Sequence, residues 1–384
     1  MTPSLPSFSL QDQVVAFRTD ASLEIGSGHV MRCLTLADAL HELGAECHFI
    51  CREHPGQLCD AIEARGFTVH RLPLRDNDLE PDPSSRLAHS SWLGASWEQD
   101  AASSHDVLKG LTPDWVVVDH YALDSRWEKA VRENLPRQAP LLLVIDDLAD
   151  RPHAADLLLD QNLGRQAQDY RSLVPGHCRV LAGPRYALLR PEFALWREAS
   201  LARRGSECQL KRLLISLGGV DKDNITGQVL DALKACDLPQ ELKITVVMGV
   251  TAPWRQSVIS QAKQMPWLTE VVVNIDDMAR RMAEADLAIG AAGSTSWERC
   301  CLGLPTLMLV LAENQRAIGL QLERSGASAT LVHEDLTHSL VSLLAAHITS
   351  PALASMSERA AGLVDGRGIY RVVRAMAMAG TQES

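Results

Sequence analysis

No run of apolar residues in this 384-residue chain reaches membrane length. The first dozen residues lack the basic start and apolar core of a secretory signal. A soluble, cytoplasmic protein is therefore expected. Cysteine pairs are missing as well: the nine cysteines are odd in number and scattered, with no C-x-x-C. That excludes the usual zinc and dithiol spacings and reads as reduced core thiols. No carboxylate cluster offers a metal site, so neither metal nor cofactor is expected. Nor is there a basic surplus, because 37 Lys and Arg against 48 Asp and Glu give a net charge of −11. This argues against nucleic acid or an anionic membrane surface as a partner. An anionic substrate would have to be met by helix dipoles and a few local cations.

What is present is an ordinary globular composition, 46% hydrophobic, in a length that fits two domains better than one. Strand and helix alternate twice over. In the first half, strands are expected at 14–17, 47–51, 68–72, 115–119, 141–146 and 157–159. Helices are expected at 29–43 and 58–65, with helical material within 84–108. The short, nearly all-apolar strands are the kind buried in parallel sheets. The stretch Leu181–Phe193 (LAGPRYALLRPEF), with its two prolines, reads as a connector. In the second half, strands are expected at 213–217, 243–248, 271–273, 287–289 and 306–310. The helices there are expected at 224–235, 277–285 (with Asp276 or Asp277 as N-cap), 294–302 and 315–325. There is no detectable repeat. The fold class expected is α/β, two Rossmann-like domains facing a cleft, with ligands at the carboxyl ends of the strands.

The most informative stretch runs from Arg18-Thr19-Asp20 through Ile25-Gly26-Ser27-Gly28-His29. It leaves an apolar strand, turns through two glycines and enters a helix with a histidine in its first turn. Glycine lets backbone approach a ligand and adopt positive φ. The helix N-terminus disfavours imidazolium, which is how a general base would be built. The plainer reading is a tight turn with a surface histidine. Met31 stands where a dinucleotide fingerprint needs its third glycine.

A second segment, Ala291-Ala292-Gly293-Ser294-Thr295-Ser296-Trp297-Glu298, opens a helix straight after a buried strand. Its amides and hydroxyls could hold a diphosphate, and Glu298, a turn later, could accept bonds from ribose hydroxyls. A capped helix with a solvated glutamate is the ordinary alternative. Asp119-His120-Tyr121 and Asp146-Asp147 sit at strand ends and are weak signals alone. His41, His48 and His54 read as structural.

Together these segments resemble the PseG-type UDP-sugar hydrolases of pseudaminic acid biosynthesis, relatives of the MurG glycosyltransferase with the two-domain GT-B fold. The resemblance runs from about Val14 to Arg371. Besides the motifs above it includes Arg32, Gly183–Arg190, Leu217-Gly218-Gly219-Val220-Asp221, Ile275–Met278, Glu313-Asn314-Gln315 and Asp365–Gly368. It implies a catalytic His29, with Tyr121 near the water it activates and Asp20 orienting His29 or a substrate group. It further implies a uracil contact at the Ile275 backbone, diphosphate contacts at Ser294 and Thr295, and ribose at Glu298. Arg18, Gly26, Gly28, Gly218, Gly219, Asn314 and Gln315 complete the expected UDP-sugar site. The implied domains are a flexible tail (1–12), a sugar-side domain (13–180), a connector (181–208), a UDP-binding domain (209–360) and a C-terminal helix (361–384) that packs back on the first domain. The expected substrate is a UDP-linked 2,4-diacetamido-2,4,6-trideoxyhexose, the β-L-altropyranose of the pseudaminic pathway that feeds flagellin glycosylation. It would be cleaved at the anomeric C–O bond with inversion, by a monomer. The rivals are a MurG-like transferase and a catalytically inactive UDP-sugar-binding protein.

Overall fold

The computed structural model describes residues 10–74, 87–133, 135–136, 139–204, 209–250, 252–347 and 349–380. Most of the expected tail, residues 75–86, and 205–208 of the expected connector lie outside them. Two compact units emerge, one built from residues up to Leu188 together with those from Gly368, the other from Leu189–Arg367.

In the first unit seven strands form one sheet: β1 (Val14–Thr19), β2 (Glu46–Arg52), β3 (Thr68–Leu72), β4 (Trp115–Asp119), β5 (Leu141–Ile145), β6 (Leu157–Asp160) and β7 (Arg179–Ala182). Their order is β3-β2-β1-β4-β5-β6-β7, and every pairing is parallel. Strands covered on both faces have no need to alternate polarity, which is why Trp-Val-Val-Val and Leu-Leu-Leu-Val are apolar throughout. Val15 and Phe17 enter one core, Ala16 the other. Helix Gly28–Glu42 buries Val30, Cys33, Leu34, Ala37 and Leu40 in the first core. It stops before Gly44, whose φ of +98° suits glycine. The last helix, Gly368–Gly380, adds Ile369, Val372, Val373 and Met376 to that same core.

The second unit holds β8 (Arg212–Ser216), β9 (Lys243–Met248), β10 (Leu268–Val273), β11 (Leu287–Ala291), β12 (Thr306–Leu309) and β13 (Ala329–Leu331). The order is β10-β9-β8-β11-β12-β13, again parallel throughout. In each sheet the strand order reverses once, between β1 and β4 and between β8 and β11. Such switch points open a crevice beyond the strand ends where α/β proteins bind ligands.

Two sequence expectations give way, and a third holds in position only. Residues 10–12 are no tail: Leu10 is buried and its N–H bonds the Leu43 carbonyl at 2.9 Å. Much of the connector is regular structure, namely β7, a short 3-10 turn at Pro184–Tyr186 and helix Pro191–Arg204. Asp277 is the N-cap residue of helix Met278–Glu284, one of the two positions expected, but its side chain makes no capping bond, because Arg280 and Arg281 take its carboxylate.

Candidate active site

In the first unit the switch point carries the histidine. The β1–β4 register aligns Thr19 with Asp119, so Asp119 ends its strand beside the turn that leads into helix Gly28–Glu42. Gly26 makes that turn with φ +79°, and the Ser22 hydroxyl accepts the N–H groups of Glu24 and Ile25. Gly28 opens the helix without a positive φ.

His29 Nδ1 lies 2.6 Å from Asp119 Oδ1, with the carboxylate fully buried and the imidazole nearly so. A neutral ring that donates from Nδ1 keeps its lone pair on Nε2. Arg32, one turn along the helix, grips the same carboxylate with Nε (2.6 Å) and Nη2 (2.7 Å). Its Nη1 reaches Asp147 Oδ2 at 2.7 Å. Burial alone would raise the proton affinity of Asp119, but Arg32 and His29 hold its carboxyl well below the usual range. Tyr121 donates its hydroxyl to Asp147 at 2.6 Å, and its ring meets His29 edge-on at 4.6 Å. Burial, reinforced by Asp147, pushes the phenol well up, so it stays protonated. Trp92 stacks on Tyr121 at 5.8 Å, with His89 at 5.4 Å.

The group that orients His29 is thus Asp119 and not Asp20. Asp20 Oδ1 accepts from Arg18 and from the Arg52 N–H, each at 2.7 Å. Its Oδ2 faces His120 and His54, at 3.3 and 3.7 Å. Arg18 also clasps Asp100, and Arg18, Asp20 and Asp100 are wholly buried. The expected ligand contacts at Arg18 and Asp20 are replaced by an internal ion-pair network under the strand ends. His54, read as a structural histidine, belongs to this network, and Arg52 joins it through Asp100 at 2.8 Å.

In the second unit the switch point lies beyond β8 and β11. Gly218 (φ +104°) and Gly219 follow β8, and both are exposed. Gly293-Ser294-Thr295 follows β11 and leads into helix Thr295–Cys301. The Ser294 side chain makes no capping bond there. Arg299 is buried beneath this turn and donates to Ala291 O, Ser296 Oγ and Thr295 Oγ1. All three are neutral oxygens, and burial without a paired carboxylate lowers Arg299 to about 10. Glu298 is half-buried and 4.0 Å from Arg190. Burial pushes its carboxyl up to about 7 despite Arg190 and Arg299. Ile275 is half-buried after Asn274 (φ +53°). Gln315 anchors its loop by accepting the Leu311 N–H at 3.0 Å, and Asn314 beside it is half-buried.

Among the described residues no His, Cys, Asp or Glu cluster could hold a metal ion. No single helix among them is long and apolar enough to cross a membrane.

Comparison with known proteins adds the following. Residues 213–367 match the Glycosyltransferase family 28 C-terminal domain. An uncharacterized protein of Methanocaldococcus jannaschii is 26% identical over 306 residues, 79% of this chain. The match spans only 56% of that protein's length. A UDP-2,4-diacetamido-2,4,6-trideoxy-beta-L-altropyranose hydrolase of Campylobacter jejuni is 26% identical over 81% of this chain and 97% of its own. In structure the chain is similar to MurG of Acinetobacter baumannii, with a TM-score of 0.65 at 17% identity, covering 95% of this chain and 99% of that one. The chain therefore has the GT-B fold, is similar over residues 213–367 to the Glycosyltransferase family 28 C-terminal domain, and resembles the diacetamido-trideoxyaltropyranose hydrolase along most of its length.

Proposed function

We propose that the chain hydrolyses a UDP-sugar at its anomeric carbon, the sugar being a 2,4-diacetamido-2,4,6-trideoxyhexose such as the β-L-altropyranose. The observation that carries the reading is His29 held through Nδ1 by a buried carboxylate at a sheet switch point. Nε2 of the neutral ring takes a proton from water, and the water oxygen bonds to C1 as the C1–O bond to the diphosphate breaks. UDP leaves with its own oxygen, and attack from the opposite face inverts C1. Tyr121 flanks the imidazole and limits where the water can stand. Asp119 steadies the imidazolium once it has formed. A positioned base of this kind is worth about 10²–10⁴ in rate.

The second unit is the nucleotide side of this reading. Backbone at Gly218, Gly219 and Ile275 contacts the nucleoside, and Glu298 the ribose. Ser294 and Thr295 meet the diphosphate over the positive field of Arg299, and Asn314 and Gln315 border it. Each phosphate donor near the leaving group counters charge that grows in the transition state.

The test is incubation with UDP-sugar in ¹⁸O-labelled water without an acceptor. Label should appear on the sugar's C1 oxygen and not in UDP. His29→Asn should retain UDP binding and lose roughly two or more orders of magnitude in turnover. UDP release only on addition of an acceptor would make the protein a transferase of the MurG kind. Near-normal turnover in His29→Asn would remove the base.

A further inference from the structure

We propose that Arg32 is a positioning residue that holds down the proton affinity of His29, so that the base is available at lower pH than its aspartate partner alone would allow. This rests on the reading of His29 as base.

His29 and Arg32 are three residues apart, hence neighbours on one helix face. Arg32 uses all three of its guanidinium nitrogens on two carboxylates: Nε and Nη2 on Asp119, Nη1 on Asp147. Nη2 also comes within 3.4 Å of His29 Nδ1. Two planar contacts on one carboxylate fix its plane, and that plane fixes the imidazole.

The charges facing the imidazole can be counted. Helix Gly28–Glu42 contributes Arg32, positive and kept so by Asp119 and Asp147 against burial. It also contributes the Cys33 thiol on Asp119 at 3.6 Å, a thiol that burial keeps protonated. The end of β4 contributes Asp119, negative, and Tyr121, neutral. The loop after β5 contributes Asp147, negative and reaching the imidazole only through Arg32 and Tyr121. From the segment before helix Trp97–Leu111 comes His89, whose proton affinity burial lowers. The loop after β5 also places the Arg151 guanidinium 5.9 Å from the Tyr121 ring centroid, paired with Asp146 and Asp150, and Glu24 accepts from Trp92 beyond Tyr121. In direct contact with His29 and with Arg32, two carboxylates are therefore offset by one guanidinium. Without it both carboxylates would draw a proton onto the imidazole and quench the lone pair a base needs.

The signs of three variants follow. Arg32→Met leaves two uncompensated carboxylates, so protonation of His29 should move to higher pH by about one unit or more. Asp147→Asn removes a negative charge and leaves Arg32 in place, so the shift should be to lower pH. Arg32→Lys keeps the charge without the two-point grip. It should titrate close to wild type while kcat falls.

The experiment follows the His29 ring by NMR in the full chain across pH, with the signal assigned by its loss in His29→Asn, beside the pH profile of kcat/KM. The expected result is opposite displacements in Arg32→Met and Asp147→Asn, with the acid limb of the rate profile following each. A folded Arg32→Met whose His29 titrates as in wild type would overturn the proposal. If Arg32→Met does not fold, Asp147→Asn decides alone, and an unmoved or upward titration there overturns it. Signals that move while the acid limb stays put would support the role of Arg32 and overturn His29 as the base.

Discussion

Glu298 shows what one half-buried carboxyl does to both stability and recognition. Its pKa is pushed up from 4.5 to about 7 by burial, and its nearest cation, Arg190, is 4.0 Å away. A carboxyl whose folded value lies above its unfolded value binds more protons when folded in the window between them. The stability it contributes is complete below the unfolded value and is lost as pH rises through the folded one. Glu298→Gln removes this dependence. In urea titrations the variant should be more stable than wild type at pH 8, with the gap closing toward pH 5. Glu298→Ala should weaken UDP binding by about ten- to a hundred-fold, the worth of a hydrogen bond to a charged group, read by calorimetry. Unchanged affinity in the folded variant would move the ribose contact to another residue.

At the scale of elements, the last helix depends on a glycine. A Cβ built on Gly368 would lie 2.2 Å from Ala187 O and 2.6 Å from Tyr186 C. Both are backbone atoms that cannot swing aside. Gly368→Ala should destabilise the first unit by roughly 1–3 kcal/mol, the usual range for overpacking. Gly362, in helix Ser350–Leu363, has open space at its Cβ, so Gly362→Ala is the control. It should be neutral or slightly stabilising in the same denaturation series. Equal effects at the two positions would mean that close backbone approach is not what Gly368 provides. The strands were mostly legible in the sequence because parallel strands are apolar on both faces. Pro184 and Pro191 misled, since a proline at the first position of a helical turn looks like a breaker but is tolerated there. β13, Ala-Thr-Leu, is too short to carry a period. His29 was legible from its own turn. Its pairing with Asp119 was not, because that depends on β1 and β4 lying side by side with Thr19 opposite Asp119. Arg32 and Asp147 stood in the motifs without roles for the same reason: strand order, not spacing, brings them together.

On the scale of the whole chain, the first unit is discontinuous and the second is not. Residues up to Leu188 close their core only when Gly368–Gly380 returns to them. That helix contributes Ile369, Val372, Val373 and Met376, each 3% exposed or less. Burying such a side chain is worth about 1.5–3 kcal/mol, so four contribute roughly 6–12 kcal/mol. This is an upper bound, because an unfolded chain already hides part of the surface. It still rivals the roughly 5–15 kcal/mol that keeps an entire domain folded. The core of the second unit, from Leu210 to Met356, owes nothing to the last helix. A chain ended at Arg367 should therefore lose hydrogen-exchange protection in β1, β4 and β5 while peptides from β8, β9 and β11 keep theirs. Hydrolysis should disappear with the first set, since His29 and Asp119 belong to it. UDP should still protect peptides around Gly293–Glu298. A truncated chain with wild-type exchange in β1 and β4 and full turnover would show that the first core closes without its last helix.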